Sequence, residues 1–236
     1  MSYKKYFYPP AMGLLFYLLI LLLLIILVPL LILGVTQVFK QLGFTPFAAF
    51  AIIVLSLAGS AINIPVFKIA NNQPIVRVEY YTLYGVTYPV PSIVTTQQKT
   101  VIAVNAGGAL IPASISAYLW YREYAHTPQI LLCILLVTLV CYKLAKPVEG
   151  VGIVMPAFIP PIVAAVSALV VSLGSSPLLF SLAYISGSLG TLIGADLLNL
   201  RRISRLRAQI VSIGGAGTFD GIFISGILAV VIAFLL

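Results

Sequence analysis

Charge is the scarcest property of this chain. Asp, Glu, Lys and Arg make up 8% of its 236 residues, where an ordinary soluble domain carries about 25%. With 61% hydrophobic residues and a mean hydropathy of +1.15, no water-surrounded core could bury so much apolar surface. Lipid must serve as the solvent. Histidine occurs once, His126 in REYAHTP, and one imidazole without Cys or carboxylate at ligand spacing builds no metal site. Cysteine occurs twice, Cys133 and Cys141, on one apolar segment. On a helix they lie ~12 Å apart along the axis, too far to bridge each other, and they read as small buried apolar residues. No Walker loop, dinucleotide fingerprint, Ser/His pair or haem-type histidine set occurs, so no metal and no cofactor is expected. Acids are the rarer charge, 5 against 13 Lys and Arg, for a net charge of +8. On a soluble protein that balance would suggest nucleic acid. Here the basic residues sit between apolar spans, where they set topology, and no nucleic-acid partner is expected.

What the chain has instead is long apolar runs. The first spans Leu14 to Leu33 and lacks the small-residue cleavage pattern of a signal peptide. GFTP opens the second, with Thr45 as N-cap and Pro46 in the first turn, and this run reaches about Ile64. The third runs from Val101 to Trp120, and a short fourth from Pro128 to Tyr142. The fifth follows KPVEG and holds Pro156, Pro160 and Pro161, which demand a kink or a break. GSSP opens the sixth as GFTP opens the second. The seventh covers Ala208 to Leu236, with an interruption expected at Gly214 to Gly217. The expected fold is an all-α polytopic membrane protein of about seven transmembrane helices. It forms a single transmembrane domain over 1–236, with an insertion at 66–99. In that insertion VRVEYYTLYGVTYPV alternates around Tyr84-Gly85 and predicts a small β-hairpin. The hairpin is either plain local structure or an edge that pairs with a peptide.

Seven spans place every Lys and Arg except Lys40 and Arg122 on one side. That asymmetry predicts a cytoplasmic N-terminus and hairpin, an outside C-terminus, and residence in the cell membrane. The basic run RRISRLR anchors the inner surface or touches anionic headgroups.

Two stretches break the apolar rule. In the third run Asn105, Gly107, Gly108 and Pro112 weaken a helix at several points. Irregular backbone at membrane depth survives only where protein or a wet cavity covers it. In the sixth and seventh runs one acid each interrupts the apolar sequence, Asp196 and Asp220. An ionisable group at membrane depth costs at least ~3 kcal/mol on insertion scales, and by default marks function. Asp196 lies five residues before Arg201, ~8 Å along a helix. Asp220 lies thirteen after Arg207, nominally ~20 Å.

The second half also echoes the first. GFTP matches GSSP, and LAGSAIN matches LIGADLLN. AVNAGGALIPASISAYL matches SIGGAGTFDGIFISGIL, with Gly108 over Gly217 and Ser116 over Ser225. The pattern suggests three spans, a linker span and three spans as parallel repeats, with a site at their interface. The echo sets Asp196 over Ala61 and Asp220 over Ile111, so the acids belong to the second half alone.

Three readings of the acids compete. They are structural groups satisfied by Asn63, Asn105, Asn199, Ser225 or backbone donors. Or they bind a cation or carry a proton in transport, helped by carbonyls freed around Gly108 and Gly217. Or they form a catalytic dyad in which one carboxyl keeps its proton and the other activates water. For the last, the pair resembles the GxGD intramembrane aspartyl proteases, the presenilin and signal-peptide-peptidase group. There, too, adjacent helices bring one Asp each, the second after a glycine-rich turn. GAGTFD supplies Gly217 three residues before Asp220, as that family has, but Phe219 stands where its motif has Gly. The family's Pro-Ala-Leu element follows the second Asp, whereas here the nearest substitute, Pro156-Ala157-Phe158, precedes both acids.

Across nearly the whole chain, the run of NIP, VNAGGALIP, MPAFIPP, GTLIGADLLNL and GGAGTFDGIFISG resembles an archaeal and bacterial membrane family known as domain of unknown function 1614. That resemblance implies a prokaryotic inner-membrane protein. The function expected is transport of a small solute or cation, channel-like, with Asp196, Asp220 and Asn105 at the site. The alternatives are an intramembrane protease acting on a transmembrane peptide, and a scaffold recruiting a partner through the hairpin.

Overall fold

Each apolar run folds into a helix, but two of the runs begin as β-strands. The computed structural model describes residues 10–148, 152–174, 176–203, 210–215 and 221–236. They divide into two compact units, Met1–Ile53 and Val54–Leu236.

The first unit is dominated by helix α1, Pro10–Gln41. Its Leu14–Gln41 portion is long and apolar enough to cross a membrane. Side chains from Leu14 to Leu33 are mostly exposed, an apolar surface that suits contact with a bilayer. The chain then turns at Gly43, φ +86°, and the Phe39 and Phe44 rings meet edge-on at 5.8 Å. The Thr45 hydroxyl accepts from the Ala48 N–H at 3.2 Å, and Pro46 begins helix α2, Pro46–Ser60. The GFTP start signal therefore works as expected.

The second unit opens with two long antiparallel strands, β1 Asn63–Leu83 and β2 Val86–Asn105. Tyr84 and Gly85 join them, with φ of +52° and +79°. Two positive φ values make the turn whose twist suits a two-residue hairpin. The turn is where the sequence put it, but the strands reach well past 66–99 at both ends. They take residues 101–105 out of the expected third span, so the unit is mostly helical rather than all-α. Val101, Ile102, Ala103 and Val104 belong to a strand covered on both faces, and such a strand carries the same unbroken apolar run as a buried helix.

A π-helical turn, Ala106–Leu110, follows Asn105 and leads into α3, Ile111–Arg122. Helix α4, Thr127–Leu144, continues an apolar helical stretch from Tyr124 that is long enough to span. The fourth run is thus longer than its apolar core, because one turn of polar residues extends the helix. Strands β3 Lys146–Val148 and β4 Gly152–Val154 form a small hairpin before α5, Ile159–Ser172. Pro160 and Pro161 sit in the first turn of α5, where the missing N–H has no intrahelical acceptor. The prolines start this helix; they do not kink it.

Helix α6, Ser176–Ile185, passes into two π-helical segments, Ser186–Gly190 and Leu192–Leu197. Its Pro177–Leu197 stretch is the third that is long and apolar enough to cross. After the short α7, Leu200–Ile203, strand β5, Ile210–Ile213, precedes α8, Gly221–Leu235. The expected seventh span therefore also opens as a strand. α2, α5 and α8 are apolar but shorter.

Strand β5 pairs with β2 in parallel, Val101 beside Ile210 and Val104 beside Ile213. Those partners are 109 residues apart, the offset that sets Gly108 over Gly217 in the sequence echo. The echoing segments thus lie side by side in register, each strand feeding a helix. Ile102, Ala109 and Ile213 bury together beneath them, with Val104, Leu192, Leu200 and Val211 packed on the cluster.

The remaining helices stack by small residues. α4 and the α6 stretch run in parallel, with Gly190 against Val137 and Gly194 against Thr138 and Cys141. α3 and α8 run antiparallel to them, since Arg122 meets Ser181 and Phe234 meets Phe180 at the far end from the sheet.

Candidate functional site

The polar residues that interrupt the apolar runs converge at the inner end of the three-stranded sheet. Asn105 closes β2 and is 1% exposed. Its Nδ2 donates to the Ser60 carbonyl at 2.7 Å and to Asn63 Oδ1 at 3.1 Å. Its Oδ1 accepts from the Gly108 N–H at 2.8 Å and so caps the π-helical turn. A buried amide is stable in such a place because both its ends are hydrogen-bonded. Asn63, the first residue of β1, also accepts from the Ser212 hydroxyl of β5. One asparagine pair therefore ties α2, both hairpin strands and β5 together.

Gly107 and Gly59 let the backbones meet. A Cβ on Gly107 would lie 2.8 Å from the Gly59 carbonyl carbon, and one on Gly59 would lie 2.9 Å from the Gly107 nitrogen. The Ser56 hydroxyl donates to the Gly107 carbonyl at 2.8 Å, which occupies an acceptor that irregular backbone would otherwise leave open.

Asp196 reaches the same sheet end from the other half of the chain. It lies in the π-helical segment Leu192–Leu197 and is half-buried. Its Oδ2 accepts from the Gly214 N–H at 3.0 Å. Gly214 follows β5 with φ +71°, and a Cβ there would lie 2.5 Å from that of Ala109. Next to it, a Cβ on Gly215 would come within 3.2 Å of Asn63 Oδ1. The chain from Gly214 to Gly215 thus runs from the Asp196 carboxylate to the Asn63 amide.

Of the residues expected at a site, Asn63, Asn105, Gly108 and Asp196 gather here. Asn199 does not join them. Its Nδ2 donates to the Gly194 and Ala195 carbonyls at 3.0 and 3.1 Å, and its Oδ1 accepts from Arg202 at 3.3 Å. It closes the end of its own helix. Ser225 lies deeper in the bundle, its hydroxyl 3.2 Å from that of Thr191. Asp220 and Gly217, and with them any pairing of the two aspartates, lie outside the described residues.

Sequence reasoning read Ser56 and Ser60 as helix-packing residues and did not single out Ser212. The signal for Ser212 was there: it is the one polar residue of IVSI and aligns with Ala103 in the echo. It also missed the three π-helical segments. Such insertions recur at functional positions, and here one follows Asn105 and another carries Asp196. Among the described residues no group of three His, Cys, Asp or Glu side chains could hold a metal ion. Chemically, the cluster offers a carboxylate, amides, a hydroxyl and glycine backbone at the end of an apolar bundle. That set suits a polar solute or a cation.

Residues 57–232 match a protein-family description that reads "Protein of unknown function (DUF1614)". No curated protein and no solved structure matches the chain.

Proposed function

The chain belongs to the DUF1614 family, and from that premise we propose that it is a multi-pass protein of the prokaryotic cell membrane that moves a small solute or cation. The seven helical runs each cross the bilayer, with the N-terminus and the long hairpin in the cytoplasm and the C-terminus outside. The shorter helices fit if the sheet end lies at the inner headgroup level and the bilayer thins locally around them. The basic residues at that end support this orientation.

One observation carries the reading. Asp196, inside an apolar span, is held by the backbone of Gly214 where two echoing strand-helix units lie in register. Solute sites of transporters sit where repeats meet and helices are broken. Asp196 and the Asn63–Asn105 pair bind the cargo in this scheme. Asp220 and Gly217 contribute from the segment just beyond Gly215.

The test is uptake into proteoliposomes of rubidium, sodium and a panel of labelled amino acids and sugars, run beside cleavage of a transmembrane peptide. Accumulation of at least one cargo, reduced tenfold or more by Asp196→Asn, is expected. Absence of any accumulation above empty vesicles sinks the transport reading. Peptide cleavage lost in both Asp196→Asn and Asp220→Asn replaces it with proteolysis.

A further inference from the structure

A second polar feature runs through the bundle, away from the sheet end. Ser181, Tyr184, Ser188 and Thr191 follow one another at three-, seven- and ten-residue offsets, which places them on one face of the helix. Asp196 follows Thr191 by five residues in the π-helical segment Leu192–Leu197, about one turn further on. All four hydroxyl residues are buried.

One end of the file meets a carboxylate, and a second carboxylate lies about one turn beyond the other end. Ser181 lies 3.5 Å from Glu123 Oε1, which is ion-paired with Arg122 at 3.1 Å. The second carboxylate is Asp196. Between them the file is flanked by hydroxyls of the two echoing helices. Thr191 lies 3.2 Å from Ser225 of α8. The Ser188 hydroxyl and the Tyr184 ring lie together against Gly226, with no space for a side chain there. Ser116 of α3 is wholly buried, and its hydroxyl has no hydrogen-bond partner among the described residues. α3 packs on α6 and the π-helical segment after it. Counting six residues back from Arg122, which touches Ser181, puts Ser116 level with about residue 187. A buried, unpartnered hydroxyl at the middle of the file is costly unless something polar visits it.

We propose that Ser181, Tyr184, Ser188 and Thr191 form a proton path between Glu123 and Asp196. A hydroxyl both accepts and donates. Each one takes a proton on its oxygen as it gives its own hydrogen to the next, then rotates back, so no charge is left on the file. One proton entering at Glu123 is matched by one leaving at Asp196. Each step along the file covers roughly one helical turn, the reach of a single bridging water. Chains of this kind with acids at their ends mark proton relays in membrane proteins. The competing role for buried hydroxyls is to hold helices together. That role predicts effects on stability with none on flux.

The inference rests on the reading above only in taking the bundle to cross the bilayer. The experiment follows pyranine fluorescence inside proteoliposomes of the full chain under a valinomycin potassium potential. Thr191→Val, nearly isosteric, is expected to cut proton flux tenfold or more, and Ser188→Ala likewise. Thr191→Ser keeps a hydroxyl and is expected to stay within twofold of wild type. Ser114→Ala, on the exposed face of α3, serves as the inert control. Variants are compared at equal monodispersity and melting temperature. Wild-type flux equal to empty vesicles, or full flux in folded Thr191→Val and Ser188→Ala, overturns the path. Cargo uptake without proton flux leaves transport standing and removes the relay. Proton flux without uptake of any cargo does the reverse.

Discussion

At the scale of single residues, the sheet end depends on a close approach of backbones at Gly107. Gly107 faces backbone atoms of Ser56, Gly59 and Ser60, none of which can swing aside as a side-chain tip could. Gly107→Ala must push α2 away from the π-helical turn and break the bond from the Ser56 hydroxyl to the Gly107 carbonyl. Overpacking of this kind costs about 1–3 kcal/mol. Gly34 of α1 has nothing within 4 Å of its would-be Cβ, and Gly34→Ala is expected to be neutral or to stabilise by up to about 1 kcal/mol. Loss of far-UV helical signal on titration with a denaturing detergent measures both. Equal midpoints for the two variants would show that the close approach of α2 carries no strain-sensitive packing. Glycines in NAGG were legible from sequence as breaks in a helix. What the sequence did not reveal is that a backbone neighbour, supplied from α2, is the reason for Gly107.

At the scale of elements, the long ribbon raises a problem that its prolines answer. A two-stranded sheet with both edges free is a template for further pairing. The two-residue turn closes on the pair Leu83–Val86, which in such a hairpin exchanges both hydrogen bonds. Pairs then alternate, so Tyr80–Pro89, Val78–Pro91 and Pro74–Thr95 all fall in the class whose N–H vectors point away from the partner strand. Proline removes the outward donor at three such places, one on the β1 edge and two on the β2 edge. β5 covers the β2 edge only from Val101 to Val104. A peptide partner that adds a strand is therefore disfavoured where the ribbon is otherwise open, which narrows the sequence expectation of an edge-pairing hairpin. Changing Pro89 and Pro91 to Thr restores two donors without disturbing the ladder. In detergent the doubly substituted chain is expected to show a higher weight-average mass by light scattering than wild type at equal concentration. An unchanged mass would mean that the prolines guard nothing. The hairpin itself was legible, because alternation and a Tyr-Gly turn are local signals. Its length was not, because Val101–Val104 packs on both faces as an unbroken apolar run, which carries no period to separate strand from helix.

At the scale of the whole molecule, the described segments beyond Val54 sort into two ends. The hairpin, β5, Asp196 and Arg202 lie at one, and Arg122, Ser181 and Phe234 at the other. The sequence reached the same division from charge alone, since Arg122 is the only Lys or Arg it leaves at the second end of these segments. Helix length by itself qualifies three stretches as spans. Impermeant thiol labelling of intact cells and inverted vesicles decides the crossing. Cys133 and Cys141 are both fully buried, so the native chain gives little background. Tyr84, at the hairpin tip, and Leu173, between α5 and α6, are both fully solvent-facing. Tyr84→Cys is expected to label at least tenfold more strongly in inverted vesicles than in cells, and Leu173→Cys the reverse. Both lie in turns with positive φ, where losing a bulky side chain disturbs no packing, so a failure to label reports access and not misfolding. Labelling of both from the same side would mean that α5 returns without crossing. The two ends would then no longer face opposite compartments, and neither a cargo site at the sheet nor a proton file through α6 could connect them.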